Sequence, residues 1–185
     1  EGSIIRPGWL NVIPAVDAPT DFDLTYLALD TAFSEKESAD ESVIAVMGFR
    51  KSEPDQIYVR ELVHGRWSFP DLLAVVHQTH KYYRSKYLCI EQAASGQSLI
   101  QMLERETKIP VHKFKPLKSK TIRLQTVAPL FEAKRVQLIE GAWTEDFVKE
   151  ILSFPFCVHD DKTDAVVWGL TQYLFSLDTS ARSAN

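Results

Sequence analysis

Cysteine and glycine are both scarce here, 2 and 7 respectively among 185 residues. The two cysteines, Cys89 and Cys157, lie in apolar surroundings; they are too few for a disulfide framework and read as buried thiols of a reducing compartment. No glycine is followed by lysine and then serine or threonine, so the phosphate loop of an NTPase is absent and ATP hydrolysis by that route is excluded. No apolar run approaches the ~20 residues of a membrane helix, and no signal-peptide pattern opens the chain. Charge of one sign is lacking too: the formal net charge is -4, which gives no bulk pointer to nucleic acid. What is plentiful is apolar side chain, 45% of the total, enough for one globular domain with a sizeable core.

Residues 1–23 carry three prolines and little periodicity, and read as an irregular lead-in that packs on the domain or joins it to something upstream. Three strands follow, Tyr26–Asp30, Ser42–Phe49 and Gln56–Val63, close enough together to be antiparallel neighbours. Ser68, Pro70 and Asp71 open a helix that runs to about Arg84. A strand at Tyr87–Glu91 comes next, reached through that helix and so parallel to the first. A helix from Ser95 to Glu106 and a strand at Pro110–Phe114 follow. Beyond them are a helix from Ser119 to Ala133, a strand at Val136–Ile139 and a helix at Thr144–Ser153 capped by Thr144. A long apolar helix from Asp161 to about Leu177 closes the domain, and residues 178–185 read as a flexible polar tail. Three antiparallel strands followed by parallel additions predict an α/β fold, a mixed sheet with helices on both faces.

The chemistry sits in carboxylates at the ends of buried runs. Tyr26-Leu27-Ala28-Leu29 ends in Asp30, and Tyr87-Leu88-Cys89-Ile90 ends in Glu91. A charge in the middle of either strand would be costly; at the strand end it meets water and other acids. Asp161 and Asp164 are three apart on the last helix and share a face, and Asp160 precedes them. Carboxylates brought this close repel, and a divalent ion such as Mg²⁺ or Mn²⁺ resolves the conflict with oxygen ligands. The plain alternative for each acid alone is a turn or cap residue. Ser34 and Ser95 are weak nucleophile candidates, since neither has a histidine base placed by sequence.

Four segments together resemble the nuclease domain of tailed-phage terminase large subunits, within the ribonuclease H-like superfamily. They are Leu27-Ala28-Leu29-Asp30-Thr31-Ala32, Ile90-Glu91-Gln92-Ala93-Ala94-Ser95-Gly96, the run from Val127 to Val136, and His159-Asp160-Asp161-Lys162-Thr163-Asp164-Ala165. The resemblance covers residues 24–177. It implies an endonuclease that cleaves double-stranded viral DNA concatemers during packaging, in the cytoplasm of an infected or lysogenic bacterial host. A packaging ATPase domain would precede it, and the portal and small terminase subunit would be partners, with no membrane involved. Asp30 and Glu91 match the first two metal ligands. Asp161 and Asp164 match the third position, Asp161 as ligand and Asp164 as second ligand or support, with His159 and Asp160 in supporting roles. Two ions ~4 Å apart would then bridge the scissile phosphate, one activating water and the other stabilising the leaving 3′ oxygen. Alternatives are a junction resolvase or transposase core, and a non-catalytic docking domain for portal or capsid.

DNA must also be held against this acidic pocket. Thr107 to Phe131 contains no acid but carries Lys108, Lys113, Lys115, Lys118, Lys120 and Arg123. We expect Lys113, Lys115, Lys118, Lys120 and Arg123 to track phosphates along the active-site rim. Trp67, Trp143, Trp168, Tyr173 and Phe175 are expected in the core, because they fall on helix-packing stripes or at helix entries.

Overall fold

The computed structural model describes residues 2–31, 41–92, 97–115 and 118–183, with side chains described as far as Thr179. Most of the Ser34–Glu41 turn, the small-residue turn at 93–96 and both serine nucleophile candidates lie outside the described residues. Seven strands and five helices are described. In chain order they are β1 (Val12–Ile13), β2 (Leu24–Asp30), β3 (Ser42–Phe49), β4 (Ile57–Gly65), α1 (Phe69–Tyr83), β5 (Leu88–Glu91), α2 (Gln97–Glu106), β6 (Val111–Phe114), α3 (Lys120–Glu132), β7 (Val136–Ile139), α4 (Thr144–Ser153) and α5 (Asp161–Ser183).

The strands form one sheet in the order β1-β7-β4-β3-β2-β5-β6. Strands β2, β3 and β4 run antiparallel, and every other pairing is parallel. Only residues 31–41 and 50–56 separate β3 from its neighbours in sequence, which permits antiparallel pairing, whereas β5, β6 and β7 are each reached through a helix and can add in parallel.

Side-chain alternation divides the sheet into two faces. Leu27, Leu29, Ile44, Val46, Leu88 and Ile90 pack against Leu72 and Val76 of α1 and Leu99, Ile100 and Leu103 of α2. Tyr26, Ala28, Val43, Ala45, Met47 and Cys89 take the other face, under α3, α4 and α5. Each fully buried apolar side chain contributes about 1.5–3 kcal/mol to holding these layers together. Helix α5 lies close on the strands, because Gly169 has no side chain. A Cβ there would fall 2.7 Å from Met47 Cγ, and the Tyr26 hydroxyl donates to the Gly169 carbonyl at 2.6 Å. The start of α5 is thereby fixed above the ends of β2 and β5.

Beyond shifts of one or two residues at element ends, three features differ from the sequence reading. The lead-in is not wholly irregular: Val12 and Ile13 form an edge strand on β7, and Ile5 is fully buried. That pairing joins segments far apart in sequence, and two residues are too short to show a period. Helix α5 runs through Ser183 rather than ending near Leu177; its last stretch is polar but has no proline or glycine to stop it. Trp143, not Thr144, occupies the cap position of α4, and Thr144 Oγ1 accepts a hydrogen bond from Gly141 N at 2.8 Å. Among the described residues no helix is long and apolar enough to cross a membrane.

Candidate metal centre

Register brings the first two acids together. Strands β2 and β5 pair in parallel with Leu29 opposite Ile90, so Asp30 and Glu91 end neighbouring strands at the same level. Alternation does the rest: Ala28 and Cys89 face α5, and Asp30 and Glu91, two residues on, do the same. Asp164, in the first turn of α5, completes the group. Asp30, Glu91 and Asp164 line one cavity of about 300 Å³, walled also by Lys118, Lys120 and Arg123.

Asp164 is 3% exposed, so its charge needs a partner, and two cations supply it. Arg123 Nη2 lies 3.1 Å from Asp164 Oδ1 and 3.8 Å from Glu91 Oε2, so one guanidinium nitrogen reaches both acids. Lys120 Nζ lies 2.6 Å from Asp164 Oδ2 and 2.6 Å from Asp160 Oδ1. Burial works against the Lys120 charge, but hydrogen bonds to Asp160 and Asp164 outweigh it and hold the ammonium above the usual lysine range. The Trp168 indole N–H donates to Glu91 Oε2 at 3.2 Å, orienting that carboxylate.

Asp30 shows how crowded the pocket is. Burial pushes its carboxyl well above the ordinary range, and Asp164, Asp161 and Glu91 add to the push while Lys120 opposes it. Asp161 is half-buried and is also shifted upward, by burial first and by Asp160 next. It lies one turn before Asp164, outside the cavity lining, and its charged neighbours include Glu41 and His159 as well as Lys120. His159 is exposed, and Asp160 is half-buried against Lys120.

All the acids are hard oxygen donors, crowded and partly desolvated, a set that suits a divalent cation. As arranged here the positive charge comes from Lys120 and Arg123. Among the described residues no three His, Cys, Asp or Glu side chains surround a common ion position. Asp164 is thus held on both its oxygens, by Arg123 on one and by Lys120 on the other.

The basic segment divides. Lys115 and Lys118 are exposed, and Lys113 pairs with Glu104 at 2.7 Å. Arg123 is buried, whereas Lys120 is exposed along its side chain but turns its ammonium into the acid cluster. Their i, i+3 spacing at the start of α3 was the available signal, since it puts both on one helix face. Trp168 was legible only as core, yet Asp161, Asp164 and Trp168 follow i, i+3, i+7 spacing on α5 and share a stripe. Trp143, Trp168 and Tyr173 are buried and Trp67 is half-buried, whereas Phe175 is 54% exposed, contrary to the expectation of a core position.

Residues 27–172 match the family described as Terminase RNaseH-like domain. The chain belongs to that family. Its sheet and helix arrangement is ribonuclease H-like. The large terminase nuclease of thermophilic phage G20c, in its magnesium-bound crystal structure, superposes with a TM-score of 0.70 at 15% identity, covering 92% of this chain and 97% of that one. The same nuclease has also been crystallised with cobalt and with zinc bound. A thermophilic bacteriophage large terminase in complex with ADP gives a TM-score of 0.72 at 16% identity; 95% of this terminase domain is covered, but only 46% of that longer chain. The Fowlpox virus resolvase, solved with Holliday junction DNA, is more distant, with a TM-score of 0.53 at 14% identity over 83% of this chain and 99% of that one. No curated protein matches the sequence.

Proposed function

We propose that this terminase domain is a divalent-metal-dependent endonuclease that cuts double-stranded viral DNA concatemers during genome packaging. The observation that carries the reading is the convergence of Asp30, Glu91 and Asp164 in one cavity at the strand ends of a terminase RNaseH-like domain. Asp30, Glu91 and Asp164 would hold Mg²⁺ or Mn²⁺, with Asp161 at the rim as a further ligand and Asp160 and His159 in support. Bound there, two such ions would supply an activated water and charge neutralisation at the leaving 3′ oxygen. The magnesium-, cobalt- and zinc-bound forms of the G20c nuclease support divalent ions in this fold.

The chain's own residues supply the rest. Trp168 fixes Glu91 by its N–H, and Arg123 holds Asp164 and Glu91 in register. On leaving Asp164, Lys120 becomes available to a phosphate oxygen at the pocket mouth. Lys113, Lys115 and Lys118 hold the flanking backbone, which accords with cutting of little sequence preference. A preceding ATPase domain would deliver the DNA, with portal and small subunit as further partners, in the cytoplasm of an infected or lysogenic bacterial host. The ADP-bound large terminase, of which this fold covers under half, supports that larger assembly.

Incubation of supercoiled plasmid with the protein and Mn²⁺ or Mg²⁺ tests the reading. Nicking and linearisation are expected, abolished by chelator and by Asp30→Asn or Asp164→Asn and reduced by Asp161→Asn. No cleavage at any concentration of either metal, or cleavage unchanged in Asp30→Asn, would overturn it.

A further inference from the structure

Four planar groups stand in a column beside the acid pocket. The Arg123 guanidinium lies 4.7 Å from the centroid of the Trp168 ring. Trp168 stacks on Phe114 at 5.0 Å and 14° between planes, and Phe114 stacks on Phe175 at 5.8 Å and 17°. The inner end of the column is tied to the acids, through Arg123 to Asp164 and Glu91 and through the Trp168 N–H to Glu91. The outer end is open: Phe175 is 54% exposed, where α5 leaves the core.

Alongside the column runs a largely apolar cleft of about 440 Å³, its walls completed by Thr126, Thr171 and Leu174. Lys113, Lys115 and Lys118 contribute to its lining, and Asp178 stands with Phe175 on α5. Lys118 and Arg123 line both this cleft and the acid cavity, so the two adjoin. Lys113 is partly neutralised by Glu104, whereas among the described residues Lys115 and Lys118 are in no ion pair. A single exposed phenylalanine needs no explanation. One that ends a stack of parallel rings, among lysines and next to a phosphate-cutting site, calls for a ligand that is both flat and anionic.

We infer that the cleft binds an unpaired nucleobase of the DNA, stacked on the Phe114–Phe175 end of the column, while Lys115 and Lys118 hold the adjoining phosphates. The inference rests on the nuclease reading and extends it to the state of the substrate. In an intact duplex each base face is covered by its neighbours. A stacking platform at the outer end of a column that starts at the acids therefore favours DNA that is frayed, nicked or locally opened near the cut. Stacking accepts any base, because every base offers a π-face.

The test is made in chelator, where no cutting occurs, with single-stranded and duplex oligonucleotides of one sequence carrying 2-aminopurine. The single strand is expected to bind with quenched 2-aminopurine fluorescence. Phe175→Ala should abolish the quench and weaken single-strand binding at least about fivefold, with much less effect on the duplex, while Phe175→Trp retains both signals. Lys115→Ala with Lys118→Ala should weaken binding and flatten its salt dependence. Wild-type single-strand affinity and quench in Phe175→Ala would overturn the inference, and is the result expected if the cleft receives another protein domain instead. Equal loss of single-strand and duplex binding would also overturn it. Plasmid cleavage in metal, run in parallel, separates the two readings. Single-strand quenching without cleavage removes the nuclease reading and leaves the cleft; cleavage with no quench removes the cleft alone.

Discussion

Lys120 Nζ lies 2.6 Å from both Asp160 Oδ1 and Asp164 Oδ2, joining the start of α3 to the start of α5 at the mouth of the acid pocket. An ammonium in that position offsets the same crowding of negative charge that a divalent ion would relieve. On the proposed function, Lys120 and the incoming ion compete for Asp164. Lys120→Ala should lower the stability of the metal-free protein by less than about 1 kcal/mol, the side chain being partly solvent-screened. The loss should shrink or reverse when Mn²⁺ is added, because the acids then bind the ion more freely. Thermal melts with and without Mn²⁺ check this; a shift independent of metal would contradict it.

Asp30, a metal ligand in the proposed function, is held as a carboxylate at a cost to the fold. Burial, then Asp164, raises its carboxyl well above the ordinary value, so its ionised form is disfavoured where it stands. Asp30→Asn should abolish cleavage while raising metal-free stability by about 1 kcal/mol at neutral pH. Urea denaturation of the two proteins measures the difference, and a clearly less stable variant would argue that Asp30 is structural.

Metal affinity should climb with pH. Asp30 and Asp161 both titrate above the ordinary aspartate value of 3.8 in the native protein. Between that value and their raised native ones the folded chain binds more protons than the unfolded chain, so these groups cost stability as pH rises through the window. Metal binds the carboxylate form only, so ion uptake releases protons there and is weakened by acid. Calorimetry in buffers of different ionisation enthalpy should register that release. A pH-independent affinity with no proton release would contradict the assignment of these acids.

Trp168 acts on Glu91 through a single N–H, at 3.2 Å from Oε2. Trp168→Phe keeps a ring against Phe114 but removes the donor. Cleavage should fall about tenfold or more, as for other groups that orient a metal ligand, with Glu91→Gln and the double variant showing non-additive losses. Additive losses would make Trp168 a packing residue only.

Much of this was legible in the chain. Runs ending in Asp30 and Glu91 identified the strands, and the passage through α1 from the antiparallel trio to β5 implied the parallel pairing that sets the two acids side by side. The acid-rich start of α5 was equally plain. What stayed hidden depends on distant partners. The β1–β7 edge pairing leaves no period in two residues, and the end of α5 carries no stop signal beyond its polarity. Arg123 and Lys120 read as outward basic residues, since nothing local says that their side chains meet acids forty residues on. Phe175 read as core because a stripe does not say where a helix outruns the layer beneath it.

Anomalous scattering from Mn²⁺ in crystals of this protein would locate the ion itself. Manganese is expected on Asp30, Glu91 and Asp164, with the Lys120 ammonium displaced from Asp164. Manganese bound only elsewhere, with Lys120 still seated on Asp164 at saturating metal, would contradict that placement.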